Sequence, residues 1–148
     1  MANIDQIKKL RNITGVSLMK CKEALEKASD NLEEAREILK KQGQEFAQKR
    51  LDRKTKEGII DSYIHAGKKV GVMIELQCES DFVARSDGFQ KLAHEICLQI
   101  AAVSSQDTPL LEQPWIKDTK RTIKDLISDY IMKFGENVSL KQFIRYEL

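Results

Sequence analysis

Val70-Gly71-Val72-Met73-Ile74-Glu75-Leu76-Gln77-Cys78 reads as a strand, and it stops abruptly at Glu79-Ser80-Asp81-Phe82-Val83. Val70, Val72, Ile74 and Leu76 recur at every second position, the period of a strand with one buried face. Ile60 and Ile64 lie upstream of Ala66-Gly67-Lys68-Lys69, so the two segments pair as a hairpin that turns at those four residues. Strands commonly run out into Gly, Asn, Asp or Pro turns. This one instead sets an acid beside a large aromatic, just before a helical pattern that begins near Asp87. Two readings of Phe82 are open at this point. Either it folds back onto that helix, or Asp81 and Phe82 form a probe offered to another protein.

Downstream, Phe89, Leu92, Ala93, Ile96, Ile100 and Val103 fall on one helical face. Ser104 to Asp118 holds both prolines and reads as a loop. A further helix carries Ile123, Leu126, Ile127, Tyr130, Ile131 and Phe134, and Gly135 closes it. Val138, Leu140, Gln142, Ile144 and Tyr146 then alternate in a last strand with Phe143 among them. The predicted core is thus a three-stranded antiparallel sheet with two helices, an α+β layer. The sheet has apolar residues on both faces, with Ile59, Tyr63, Met73 and Phe143 expected to oppose Ile60, Ile64 and Ile74. Two helices cover one face only. An apolar face left open usually marks an interface, so a second copy of the chain is expected to cover it.

Upstream, residues 1–45 read as three short helices. Asn3 caps the first with Gln6 completing a capping box, Ile4, Ile7 and Leu10 line it, and Gly15 follows its end. Ser17 caps the second, which carries Leu18, Cys21, Ala24, Leu25 and Ala28. Asp30 is expected to cap the third, with Leu32, Ala35, Ile38 and Leu39 as its stripe and Gly43 as its stop. Three helices of this size resemble a ubiquitin-associated bundle, which is marginal alone. Residues 46–57 read as a connecting helix or linker, and residues 58–148 as the α+β core and dimerisation domain.

The composition fits that picture. The chain has 148 residues, 41% of them hydrophobic and 32% charged, with few glycines and prolines. No apolar run nears the ~20 residues of a membrane span. Met1-Ala2-Asn3-Ile4-Asp5 begins no secretory signal, so the chain reads as cytoplasmic. A net charge of +2 hides a basic surplus before residue 57 and an acidic one after it. Lys49, Arg50, Arg53, Lys54 and Lys56 crowd one stretch, but no aromatics interleave with them. A solvated helix or hinge is the better reading, so direct nucleic-acid binding is not expected. Cys21, Cys78 and Cys97 suit neither a zinc site nor a disulfide framework and read as buried thiols. His65 and His94 belong to no local catalytic motif, and there is no glycine-rich phosphate loop. No enzyme activity, cofactor or metal is expected.

Three motifs carry a resemblance that spans nearly the whole chain. The first is Leu10-Arg11-Asn12-Ile13-Thr14-Gly15 followed by Met19, Cys21-Lys22 and Ala24-Leu25. The second is Ser80-Asp81-Phe82-Val83, and the third is Gly135-Glu136-Asn137 with Arg145-Tyr146-Glu147. In order and spacing they resemble the bacterial elongation factor Ts family. Two positions depart conservatively: Ser80 stands where a Thr is usual and Leu18 where a Met is usual. The chain looks like a short form, with only Ser104 to Asp118 where typical members have a long insertion.

The resemblance implies a guanine-nucleotide exchange factor for elongation factor Tu, without chemical catalysis of its own. It would bind Tu carrying GDP, speed GDP release from it, and leave the nucleotide-free form when GTP binds. Carried over residue by residue, Phe82 is an apolar wedge at the Tu G domain near its Mg²⁺ site, and Asp81 is its polar partner. Ser80 and Val83 shape the turn. Arg11, Leu18 and Met19 match the bundle's contacting positions, although Leu18 and Met19 would equally suit the bundle core. The short form also implies a homodimer through the sheet face. Two other readings stay open: a non-catalytic adaptor binding through its bundle, and a family member that has lost exchange activity.

Overall fold

Asn3 opens the first helix, α1 (Ile4–Thr14), by accepting the Asp5 amide at 2.8 Å. Gln6 closes no capping box, and its side-chain oxygen is buried without a partner. Gly15, left-handed with φ 71°, ends α1, and Ser17 caps α2 (Leu18–Lys27). The third helix is capped by Asn31, not Asp30: the chain leaves α2 through left-handed Ser29 and Asp30, and only Asn31 has the extended backbone of an N-cap. Together α1 to α3 bury Leu10, Cys21, Ala24, Leu25, Ala28, Ala35 and Leu39 in one apolar cluster. The computed structural model describes residues 2–148, so Met1 of the N-terminal stretch lies outside it.

Gly43 does not stop the third helix. α3 runs without a break from Leu32 to Arg50. A Cβ at Gly43 would sit 3.4 Å from Asp129 Oδ1 and 3.6 Å from Met132 Sδ. Those are ordinary contact distances, so a side chain would fit here against a later helix, α6 (Ile123–Phe134), and it is the α3–α6 packing that outweighs the glycine's low helix propensity of about 1 kcal/mol relative to Ala. Helix therefore extends through the first five residues of the predicted connector and gives way to a turn after Arg50.

Three strands follow the predicted order: β1 (Glu57–Ile64), β2 (Val70–Cys78) and, after the helices, β5 (Val138–Glu147). They form an antiparallel sheet in the order β1-β2-β5. Between β2 and β5 lie a one-turn helix α4 (Asp81–Ala84), the long α5 (Asp87–Ala102) and α6. Ser104–Asp118 is not all loop. It holds a 3₁₀ turn (Leu110–Glu112) and β3 (Pro114–Trp115), which pairs with β4 (Asp118–Thr122). The fully buried Gln99 of α5 ties this segment down, bonding to Gln113, to the Pro114 carbonyl and to the Ile116 amide. No described helix is long and apolar enough to cross a membrane.

The two sheet faces are divided differently from the prediction. Asp61 pairs with Ile74 and Ser62 with Met73, so Ile74 shares its face with Ile59 and Tyr63, whereas Met73 shares its face with Ile60 and Ile64. In β5 the register shifts opposite Glu75/Leu76, with Leu140 facing Leu76 and Gln142 facing Glu75, so Lys141 is an extra residue. That bulge puts both Leu140 and Phe143 on the inner face, where Leu140 packs against the core and Phe143 stays exposed. The inner face packs against α5 and α6 around Val72, Ile74, Leu76, Phe89, Ile96 and Ile123. The outer face shows Ile60, Ile64, Met73, Ile144 and Tyr146, all exposed.

Candidate functional site

Ser80, Asp81, Phe82 and Val83 form the first turn after β2. Ser80 is extended and caps α4, its hydroxyl oxygen accepting the Val83 amide at 3.3 Å. A helix of four residues has almost no stability of its own, so its neighbours must hold it. Val83 and Ala84 are buried in the main core and anchor it from below. Ser86, which caps α5, donates to the Val83 carbonyl at 2.7 Å and locks its far end.

With both ends held, Phe82 points outward and is 87% exposed. It does not fold back onto α5. Asp81 lies beside it and pairs with Arg85 one turn later at 2.8 Å, both groups largely exposed. The tip is therefore an apolar ring next to a half-satisfied carboxylate, on a rigid base.

The base contains a residue that the sequence reading did not place in the site. Glu136 accepts the Ser80 hydroxyl at 2.6 Å, the Ser80 amide at 2.9 Å and the Glu79 amide at 3.2 Å. It lies 56 residues beyond Ser80, and the sequence marked it only as a member of the Gly135-Glu136-Asn137 motif, with nothing to tie it to the tip. Beneath the tip, burial pushes the Cys78 thiol up to about 11, and the nearby Glu136 carboxylate adds to the effect. The thiol donates to the Ser80 carbonyl at 3.2 Å and is a structural group, not a nucleophile.

The second predicted group lies at the α1–α2 turn. Arg11 is exposed in the last turn of α1. Leu18 and Met19 begin α2 with 46% and 68% exposure, so the structure removes the alternative that they fill the bundle core. The turn and the tip region approach the same side chain of α6. A Cβ at Gly15 would lie 3.8 Å from Lys133 Nζ, and one at Gly88 would lie 4.0 Å from the same nitrogen. The start of α2 and the start of α5 therefore share one end of the molecule.

Two of the five cations in the basic stretch have partners, and Lys49, Lys54 and Lys56 are exposed. Arg50 donates to the Gly135 carbonyl and stacks over Phe46, and Arg53 pairs with Glu79. Among the described residues no cluster of His, Cys, Asp or Glu is arranged to hold a metal ion.

The sequence is similar to those of known proteins along its whole length. The family model described as Elongation factor TS matches residues 79–148, which include the tip, Glu136 and β5. Elongation factor Ts of Methylacidiphilum infernorum is 37% identical, the alignment covering 100% of this chain and 97% of the relative. That of Thermotoga sp. (strain RQ2) is also 37% identical, over 99% of this chain and 96% of the relative. That of Carboxydothermus hydrogenoformans is 35% identical, over 100% of this chain and 89% of the relative. The first of these alignments runs over 195 positions against the 148 residues of this chain, so that relative has stretches without a counterpart here. Similarity at this level along the whole length shows that the chain belongs to the elongation factor Ts family.

Proposed function

We propose that this chain is a guanine-nucleotide exchange factor for elongation factor Tu, acting in the cytoplasm by binding alone and without a chemical step of its own. One observation carries the reading: Phe82 is 87% exposed on a turn whose next two residues are buried. A large apolar ring held so firmly in water is suited to insertion into a partner. Phe82 enters the Tu G domain and disturbs the surroundings of its Mg²⁺, Asp81 fixes the polar side of the contact, and Ser80 and Val83 hold the turn. Arg11, Leu18 and Met19, on the ubiquitin-associated-like bundle of residues 1–45, dock on the same domain. Residues 46–57 connect the bundle to the core of residues 58–148, whose outer sheet face pairs two copies into a homodimer.

Magnitudes show why the tip cannot act alone. Raising a release rate ~10⁴-fold requires ~5.5 kcal/mol. Burying one Phe yields ~1.5–3 kcal/mol. The rest comes from bundle and core surfaces that fit the nucleotide-free partner better than the GDP-bound one. Reciprocity then requires GDP to weaken factor binding by the same ratio.

The test is release of labelled GDP from elongation factor Tu at sub-stoichiometric factor. The wild-type chain accelerates release, and Phe82→Ala lowers the acceleration by about ten- to a hundredfold, the equivalent of one Phe burial. Because Phe82 touches nothing that holds the fold, the variant keeps its melting temperature. Wild-type exchange by a folded Phe82→Ala protein would refute the wedge.

A further inference from the structure

Gly135, Glu136 and Asn137 join α6 to β5, and each bonds to a different part of the chain. The Gly135 carbonyl accepts Arg50 Nε at 3.2 Å, at the end of α3. Glu136 takes three donors from Glu79 and Ser80. The Asn137 amide donates to Glu79 Oε1 at 2.7 Å, and its buried side-chain nitrogen donates to the Arg53 carbonyl at 2.9 Å. Arg53 closes the ring by pairing with Glu79 at 3.6 Å. Three consecutive residues thus knit the base of the tip to the end of the helix that comes from the bundle.

The detail at Ser80 decides what this ring does. The Ser80 hydroxyl has one hydrogen, which it gives to Glu136, leaving its lone pairs for the Val83 amide. Glu136 therefore sets the rotation of the hydroxyl that caps α4. Hydrogen bonds to a carboxylate are roughly twice as strong as neutral ones, and a four-residue helix offers little resistance to reorientation.

We infer that Glu136 is a positioning residue for Phe82, and that the 135–137 connection fixes the tip relative to α3 before any partner binds. The inference rests on the reading of Phe82 as the group that enters the partner. Glu136 itself need touch nothing outside the chain. Its contribution is preorganisation: bundle and core surfaces dock the factor, and the already oriented ring then loses less freedom in the insertion step that speeds release.

The experiment follows wild type, Phe82→Ala, Glu136→Gln, Glu136→Ala and the double alanine variant. Two quantities are read from GDP release: the maximal rate and the factor concentration giving half of it. Amide hydrogen exchange at Ser80 and Val83 is measured on the free proteins, with melting curves to verify folding. Glu136→Ala lowers the maximal rate about tenfold, the scale of losing charge-assisted hydrogen bonds, with little change in half-saturation. It speeds amide exchange at Ser80 and Val83 about tenfold or more, and Glu136→Gln, which keeps one acceptor oxygen, falls between. The double variant is no slower than Phe82→Ala, because Glu136 acts only through the ring. Multiplying effects in the double variant would overturn the inference. So would unchanged amide protection, or wild-type rates for Glu136→Ala where Phe82→Ala is slow. If Phe82→Ala itself exchanges normally, the wedge reading falls instead, and amide protection alone decides whether Glu136 orders the segment.

Discussion

Phe82 and Val83 are neighbours with opposite surroundings, one 87% and the other 6% exposed. Leaving a Phe in water forgoes about 1.5–3 kcal/mol of burial. Val83 makes the exposure stable by holding the turn from the core side. The same core governs the cysteines. Burial raises the thiols of Cys21, Cys78 and Cys97, the last to about 12, so the reactive thiolate is scarce at neutral pH. Titrated at pH 8 with a thiol reagent, the native protein reacts slowly at all of its cysteines, and in denaturant they all react at once. At this scale the tip was legible because Ser80-Asp81-Phe82-Val83 is one contiguous motif. Glu136 was not legible as part of it, because its partners are 56 and 57 residues away and no local pattern reports a carboxylate that reaches across the fold.

Helix α3 joins the bundle cluster to the main core through polar as well as apolar contacts. Asp125, 8% exposed on α6, accepts Gln44 at 2.7 Å and lies 3.5 Å from Lys40. Burial disfavours its charge, but the Thr122 amide, Gln44 and Lys40 outweigh that cost and hold the carboxyl below its ordinary 3.8. A folded-state pKa below the unfolded one stabilises the protein above the unfolded pKa, and that contribution is lost as pH falls through the folded one. Asp125→Asn is therefore expected to cost about 1–3 kcal/mol at pH 7 in denaturant melts. The gap from wild type begins to narrow below about pH 4, where the unfolded carboxyl takes up its proton, and closes only once pH falls through the lowered folded-state pKa. The long helices and the three strands of the main sheet were legible here from periodicity, whereas the short α4, β3 and β4 and the Asn31 cap were not. Gly43 misled because a glycine can end a helix or lie within one, and only the packing of α3 against α6 carries the helix past it. The sheet faces misled for a similar reason: pairing register and the Lys141 bulge are properties of two strands together.

Considered as a whole, the molecule leaves the outer sheet face open. Ile60, Ile64, Met73, Ile144 and Tyr146 sit on it, exposed, with none of the described residues packed over them. For the proposed homodimer, Met73→Lys places a charge at the middle of the joint. Sedimentation velocity is expected to show a dimer for wild type and a monomer for Met73→Lys, with the helical signal unchanged because Met73 is already 52% exposed. A wild-type monomer at tens of micromolar would refute the pairing. The unbroken run of α3 from Leu32 to Arg50 has a consequence for melting as well. Leu39 belongs to one apolar cluster and Ala47 to the other, so the same rod of backbone crosses both. Heat finds no seam along which to part them. Calorimetry is expected to record one transition, and Leu25→Ala, a lesion wholly inside the bundle, lowers the melting point of the sheet with it by roughly 5–15 °C.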